Sequence, residues 1–509
     1  MIKTKQIFST LFLVICLLSC ENWLDVNQNP DAPLEVDYQQ LLPAGTSSLA
    51  YVMGGRYQVL GALWSQHWTQ SPGASQYSGI DAYNINSSTF DENQFGELYS
   101  GALVNLEKVR IGARAGGEFN YYLIATVLQC YTYQVLADLY NQIPFSEALK
   151  GGMGNTEPKY EAAEAIYDSL IARIDLALAQ DFEKDDLLNP ATDDLVFEGN
   201  MEQWVAFANS LKLRIFLRQS EVNPQKARDK IIELYASNPD FLDNSAALHI
   251  YTNESGRRNP LYETEYQVFG KNPNLILSAT LYSFLIENRD FDRLDALFEL
   301  PASGGEHKAL VQGNFFAPDE PSGTNSSSFS KPVMRADAPV FLMSDAESYL
   351  LQAEAIVRYQ VGTYQEAREN YEKAITASYA MILNSTISNA GVIGLAQQFY
   401  RGVYAFPAEG NETDEYLQAI AIQKWLSLSG IQNLETFFES NRTGYPTKSS
   451  VPAENTAYIP GELTLSVNNA TSGRFPRRLV FPESEYANNR NTPAKKEVWE
   501  PVWWDVLNN

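Results

Sequence analysis

Apolar positions return at helical spacing in four well-separated stretches of the chain. In residues 121–140, "YYLIATVLQCYTYQVLADLY", they crowd every side, which predicts a buried helix that Asn141 and Pro144 bring to a stop. In 160–180, "YEAAEAIYDSLIARIDLALAQ", Ala163, Ile166, Leu170, Ile174 and Ala177 form one stripe, as in a helix with a single buried face. Residues 202–219 ("EQWVAFANSLKLRIFLRQ") and 341–359 ("FLMSDAESYLLQAEAIVRY") carry the same period. Between 240 and 340 the period fades into segments rich in Asn, Gly, Pro and Ser, and the tail after 440 has a similar texture. These stretches predict ordered loops packed over a helical base.

One helix pair is more specific. Across 348–379, small or characteristic residues stand at Ala355, Gly362, Tyr364, Ala367, Tyr371 and Ala374. Ala367, Tyr371 and Ala374 lie at i, i+4 and i+7 and so share a face, where small side chains let two antiparallel helices approach closely. The spacing is that of a tetratricopeptide-like hairpin; arrays of such repeats need about three copies, so any others here are degenerate. The pattern reads as a mostly α, single globular body from 37 to 509, with long irregular loops.

The N-terminus has a different pattern. Lys3 and Lys5 precede an apolar run from Leu11 to Leu18, then Ser19 and Cys20. A basic start, a short apolar core and a small residue describe an export signal over 1–19, too short for the ~20 apolar residues of a spanning helix. Leu17-Leu18-Ser19-Cys20 resembles the bacterial lipobox, which makes Cys20 the lipidated residue; bulky Ile15 disfavours Cys16. Residues 20–36 read as a tether. Within it Asp25, Asn27 and Asn29 mimic the start of a calcium loop, but Pro30 replaces the glycine and Val36 the closing glutamate, so no metal is expected.

Charge narrows the partners. The chain carries −25, and loss of Lys3 and Lys5 with the signal leaves 35 basic against 62 acidic residues. Such a surface repels phosphate backbones, which excludes nucleic acid. Of three cysteines only Cys130 falls in the body, so no disulfide forms there and a large core must supply stability. Catalytic constellations are missing. His67, His249 and His307 have no ligand spacing. "GASQY" around Ser75 lacks the second glycine of a nucleophile elbow, and neither "YQVFGK" nor "GGMGNTE" completes a phosphate loop. No catalytic residue, metal or cofactor is assigned, and the chain reads as a non-enzyme.

Several separated pieces, in order, carry a resemblance: the lipobox, "YQVLADLYNQIPFSEAL" at 133–149, "YEAAEAIYDSLIARIDLAL" at 160–178, "PVFLMSDAESYLLQAEA" at 339–355, "FFESNRTGYP" at 437–446 and "RFPRRLVFPESEYANN" at 474–489. Together they look like the SusD/RagB family of outer-membrane nutrient-binding lipoproteins of Bacteroidetes, in the branch with the Arg-Thr-Gly-Tyr-Pro signature. The resemblance implies degenerate tetratricopeptide-like helix pairs. It also implies a non-catalytic role, capturing oligosaccharides or peptides for a SusC-like TonB-dependent transporter at the outer membrane. One departure concerns orientation: only Glu21 and Asp25 stand where exported relatives often carry an acidic cluster.

Aromatics make up 12% of the chain, and in "HWTQSPGASQYSGIDAYNINSSTFDENQF" they sit among amides, glycines and serines. Flat rings pack on sugar C–H faces while amides take hydroxyls, so this texture suits a glycan surface. Trp64, His67 and Trp68 would share a face if helical. Trp64, Trp68, Tyr77 and Tyr83 are therefore candidate ligand contacts, and the resemblance adds Tyr262 and Tyr266 from the middle loops. "RTGYP" and "RFPRR" read as structural punctuation, with arginines paired to carboxylates and Gly or Pro fixing turns. "VWEPVWW" reads as a C-terminal plug. Two other functions compete: a helical-repeat docking module without small ligand, and a surface hydrolase.

Overall fold

The computed structural model describes residues 37–507 apart from 183, 185, 271–273, 317–325 and 384–385. The export signal, Cys20 and the tether to residue 36 lie outside the described residues. The longer helices are α1 (Tyr38–Met53), α2 (Arg56–Trp64), α3 (Val104–Gly116), α4 (Phe119–Tyr140), α5 (Ala163–Leu178), α6 (Met201–Arg218) and α7 (Pro224–Ala236). They continue as α8 (Ala279–Glu287), α9 (Asp345–Tyr359), α10 (Tyr364–Leu383), α11 (Asn389–Tyr400), α12 (Thr413–Ser427) and α13 (Asn433–Thr443). None of the described helices is long and apolar enough to cross a membrane.

α4 is the centre of the base. It is apolar on every side, and its residues from Asn120 to Tyr140 are buried among α1, α3, α5 and α6. The stripe of α5 behaves as its period requires: Ala163, Ile166, Leu170, Ile174 and Ala177 are all buried. α9 and α10 form the close antiparallel pair, with Ala355, Ala367 and Ala374 fully enclosed between them. Residues 341–359 are not one helix. The segment begins in a strand, Ser344 accepts the Glu347 N–H as a cap, and only then does α9 start.

Among the described residues, eight short strands form four antiparallel pairs. β1 (Trp68–Gln70) pairs with β5 (Leu275–Leu277), and β2 (Gln142–Pro144) with β3 (Tyr160–Ala162). β4 (Ala246–Leu248) pairs with β8 (Val340–Met343), and β6 (Phe298–Glu299) with β7 (Lys331–Pro332). Four of these strands fall in the 240–340 region of weak periodicity, because two or three paired residues are too few to register as an alternating pattern.

The helices are cross-linked by buried charge. Arg442, in the last turn of α13, donates to both oxygens of Glu354 on α9 (2.8 and 2.7 Å) and to Glu439 (3.0 and 2.7 Å). Arg218 on α6 donates to Glu439 and to Glu435 (2.5 Å) and lies 3.3 Å from Asp138 on α4. Lys424 on α12 donates to Glu439 at 2.9 Å. Gly444 then ends α13 in the left-handed region (φ +75), so the "RTGYP" stretch is an ion-pair anchor followed by a helix stop. The C-terminal tryptophans close the same region: Trp504 Nε1 donates to Asp138 (2.8 Å), and its ring lies under Arg218.

Candidate ligand-binding site

A cleft of about 170 Å³ opens where the ends of α1 and α10 meet β1, β7 and β8. Its walls include Met53, Trp68, Leu261, Met334, Phe341 and Ile382. A smaller recess joins it, sharing Pro332 and Met334, and carries Glu265, Tyr266 and Lys331.

The aromatic edge of this site is built by local sequence. Asn259 accepts the Leu261 and Tyr262 N–H groups (3.0 and 3.2 Å), which starts a helical turn that passes into a π-helical turn over Glu263–Val268. Tyr262 and Tyr266, four residues apart, thereby stack with ring centroids 4.8 Å apart and planes within 18°. Both are partly exposed. Lys331 Nζ is 3.3 Å from the Tyr266 hydroxyl but 5.2 Å from the ring centroid, so the ammonium stands at the hydroxyl end rather than over the face. Lys331 also pairs with Glu299 at 3.1 Å.

A polar network fixes this edge to the rest of the loop side. Tyr77 donates its hydroxyl to Glu265 (2.6 Å), whose other oxygen accepts from Asn274 (3.2 Å). Gln70 accepts the Tyr77 N–H (2.8 Å). Asp81, fully buried, accepts from Thr69 Oγ1 and Gln70 N–H (2.8 Å each) and from Gln312. Burial pushes the Asp81 carboxyl up to about 6, even though these donors favour the charged form. Gln66 accepts from Thr464 N–H (3.0 Å) and Thr280 Oγ1 (2.6 Å), which ties in the segments after 460.

The six candidate aromatics divide by position. Trp68 is a cleft wall, 4% exposed, and Tyr262 and Tyr266 form the stacked edge. Tyr77 is a buried post beneath that edge. Trp64 donates to the Ile80 carbonyl (3.0 Å) and packs edge-on against Phe437. Tyr83 is 1% exposed and accepts the Ser466 N–H (3.3 Å). Trp64, His67 and Trp68 do not share a helical face. α2 ends at Trp64, Gln66 takes a left-handed φ of +58, and Trp68 starts β1. Met53, Met334 and Lys331 had no sequence signal, because each joins the site from a separate segment.

His67 is fully buried, with Nδ1 3.0 Å from Asn433 Oδ1, and burial lowers its pKa from 6.5 to about 4. Below pH 6.5 the unfolded chain takes up a proton that the folded chain refuses, so stability falls as pH drops toward 4, by about 3 kcal/mol in full. His67→Asn should remove that component. Urea denaturation at pH 7 and pH 4.5 measures it, and an unchanged difference would contradict the assignment.

The sequence profile of the SusD-like family described as "starch-binding associating with outer membrane" matches residues 30–464. The chain belongs to the SusD/RagB family. Solved SusD-like structures share the fold over nearly its whole length. A Bacteroidetes SusD-like protein aligns at TM-score 0.73 and 19% identity, covering 93% of this chain and 100% of that one. A SusD homologue from Bacteroides uniformis gives 0.70 and 22%, covering 92% and 100%. A chitin-binding SusD homologue from Flavobacterium johnsoniae gives 0.69 and 20%, covering 91% and 98%. No curated protein sequence matches the chain. The SusD-like family is one of carbohydrate-binding, outer-membrane-associated proteins.

Proposed function

We propose that this SusD-like protein is an outer-membrane lipoprotein, anchored through Cys20, that captures oligosaccharides and delivers them to a SusC-like TonB-dependent transporter without cleaving them. The observation that carries the reading is the stacked Tyr262–Tyr266 pair opening beside a cleft where apolar side chains alternate with Gln58, Asn259 and Arg335. An aromatic face packs against the C–H face of a sugar ring. The cleft, at about 170 Å³, is too narrow for a chain of rings and suits a small apolar substituent such as an acetamido methyl. Among the described residues lining the cleft there is no aspartate or glutamate, and Glu265 in the adjoining recess is held by Tyr77 and Asn274. That supports holding a ligand rather than hydrolysing it, since glycoside cleavage needs two available carboxyl groups.

Calorimetric titration with chitin- and starch-derived oligosaccharides tests the reading. Tyr262→Ala and Tyr266→Ala should each weaken binding by about 1–3 kcal/mol, with the N-acetylated series favoured in the parent. Undiminished affinity in both folded variants would remove the stacked pair from the site. Binding of peptides but no glycan would transfer the role to peptide uptake.

A further inference from the structure

A second hollow, of about 570 Å³, lies between the 191–200 loop and the segment that follows Asp243, and it shares no lining residue with the tyrosine-edged cleft. Its volume falls in the ~300–1,000 Å³ range of small-ligand sites. The loop that forms it is rigidly built. Asp194 is buried and accepts four donors: the N–H groups of Val196 (3.0 Å), Phe197 (3.3 Å) and Gly199 (2.9 Å), and Trp204 Nε1 (2.6 Å). Ala191 and Glu198 take left-handed φ values of +39 and +53, which non-glycine residues keep only where their surroundings over-determine them. Such pre-organised, costly loop geometry concentrates at ligand sites.

The lining chemistry indicates a ligand class. Asn200, Gln203 and Asn244 present amides, while Leu195, Val196 and Ile250 supply apolar surface. Gln203 Nε2 donates to Asp243 (3.0 Å), which fixes this amide at the edge of the hollow. Among the described residues no lysine or arginine lines the hollow, His249 is its basic side chain, Asp194 is already satisfied, and Glu198 stands at the rim, so an anionic ligand finds no permanent counter-charge. Amides with an apolar floor and no permanent cation match a neutral, hydroxyl-bearing ring.

We propose that this hollow is a second binding site, for neutral sugar residues. It adjoins the first through one small sheet: β8 contributes Val340 and Phe341 to the cleft wall, and its partner β4 leads directly into His249 and Ile250 of the hollow.

Hydrogen exchange read by mass spectrometry tests the proposal on the whole protein. The probes are neutral trisaccharides of glucose, galactose and N-acetylglucosamine, with a glucuronate-containing trisaccharide as the anionic control. At about ten times its Kd, a ligand of the hollow slows exchange in the 189–203 and 243–250 peptides by up to about tenfold. The effect should persist in the Tyr262→Ala/Tyr266→Ala double variant. It should vanish in Asn244→Trp, where a bulky ring enters from an exposed rim position and spares the core. The proposal is overturned if no neutral sugar protects these peptides in the folded protein, or if only the acidic sugar does. Protection that survives Asn244→Trp, or that disappears with the tyrosines, overturns it as well. Protection of 259–270 alone would leave the tyrosine site standing and remove this one; protection of the hollow alone would do the reverse.

Discussion

Truncating Glu439 to alanine is expected to lower the unfolding free energy by ~3–5 kcal/mol, a large part of the ~5–15 kcal/mol that holds a typical domain together. Glu439 accepts from Arg442, Lys424 and Arg218, three cations delivered by α13, α12 and α6. Burial by itself would raise its carboxyl, but those three charges outweigh burial and hold it well below the usual carboxylate range. Removing it takes the carboxylate from Lys424 and one carboxylate partner from each of Arg218 and Arg442, and a poorly paired buried charge is among the most costly defects a core can carry. Glu439→Gln should be milder, because the amide oxygen still accepts while the charge is lost. Urea denaturation followed by circular dichroism measures both, and a Glu439→Ala midpoint matching the parent would contradict the role given to this network. The pH dependence has a definite sign. A depressed carboxyl contributes stability above its unfolded pKa of 4.5 and loses it as pH falls through the folded value, so this part of the core weakens in acid. Asp81 acts in the opposite sense: with its carboxyl raised from 3.8 to about 6, its contribution falls as pH climbs through that interval.

The second large effect concerns attachment. Cys20→Ala should move the protein from the membrane pellet to the soluble fraction and abolish incorporation of labelled fatty acid. On the proposed anchoring, each buried methylene of an acyl chain contributes about 0.8 kcal/mol, so the unlipidated variant loses that hold while its acidic body is repelled by an anionic surface. Cys16→Ala should change neither readout. Continued pelleting and labelling of Cys20→Ala would place the anchor elsewhere.

The helical base was legible because its signal is local. The α5 stripe, the all-round apolarity of α4 and the Ala367–Tyr371–Ala374 face each lie within one helix, and the 3.6-residue period converts directly into a buried side. The structural reading of the Arg-Thr-Gly-Tyr-Pro stretch was equally local in kind: an arginine in a last helical turn, then a glycine able to take positive φ. Its partner Glu354 could not be named, since that residue sits 88 positions earlier in the chain. The candidate site was legible only by residue type. Trp64 and Trp68 look alike in sequence, and so do Tyr77 and Tyr262. Both tryptophans are buried, but Trp68 lines the cleft, and of the tyrosines Tyr262 is the partly exposed one. The other of each pair is enclosed by Phe437 or by the Glu265–Asn274 contacts.

What the sequence determined by itself was therefore the mostly α body, its long buried helix, its closest helix pair, and a charge unsuited to polyanions. These follow from composition and from periodicity within single elements, where neighbours in sequence are neighbours in space. The tertiary structure decided which aromatics meet solvent, which acids and bases neutralise one another, and where the tyrosine-edged cleft and the larger hollow form. Each of those depends on segments tens to hundreds of residues apart, and contacts between such segments leave no periodic trace in the chain that makes them.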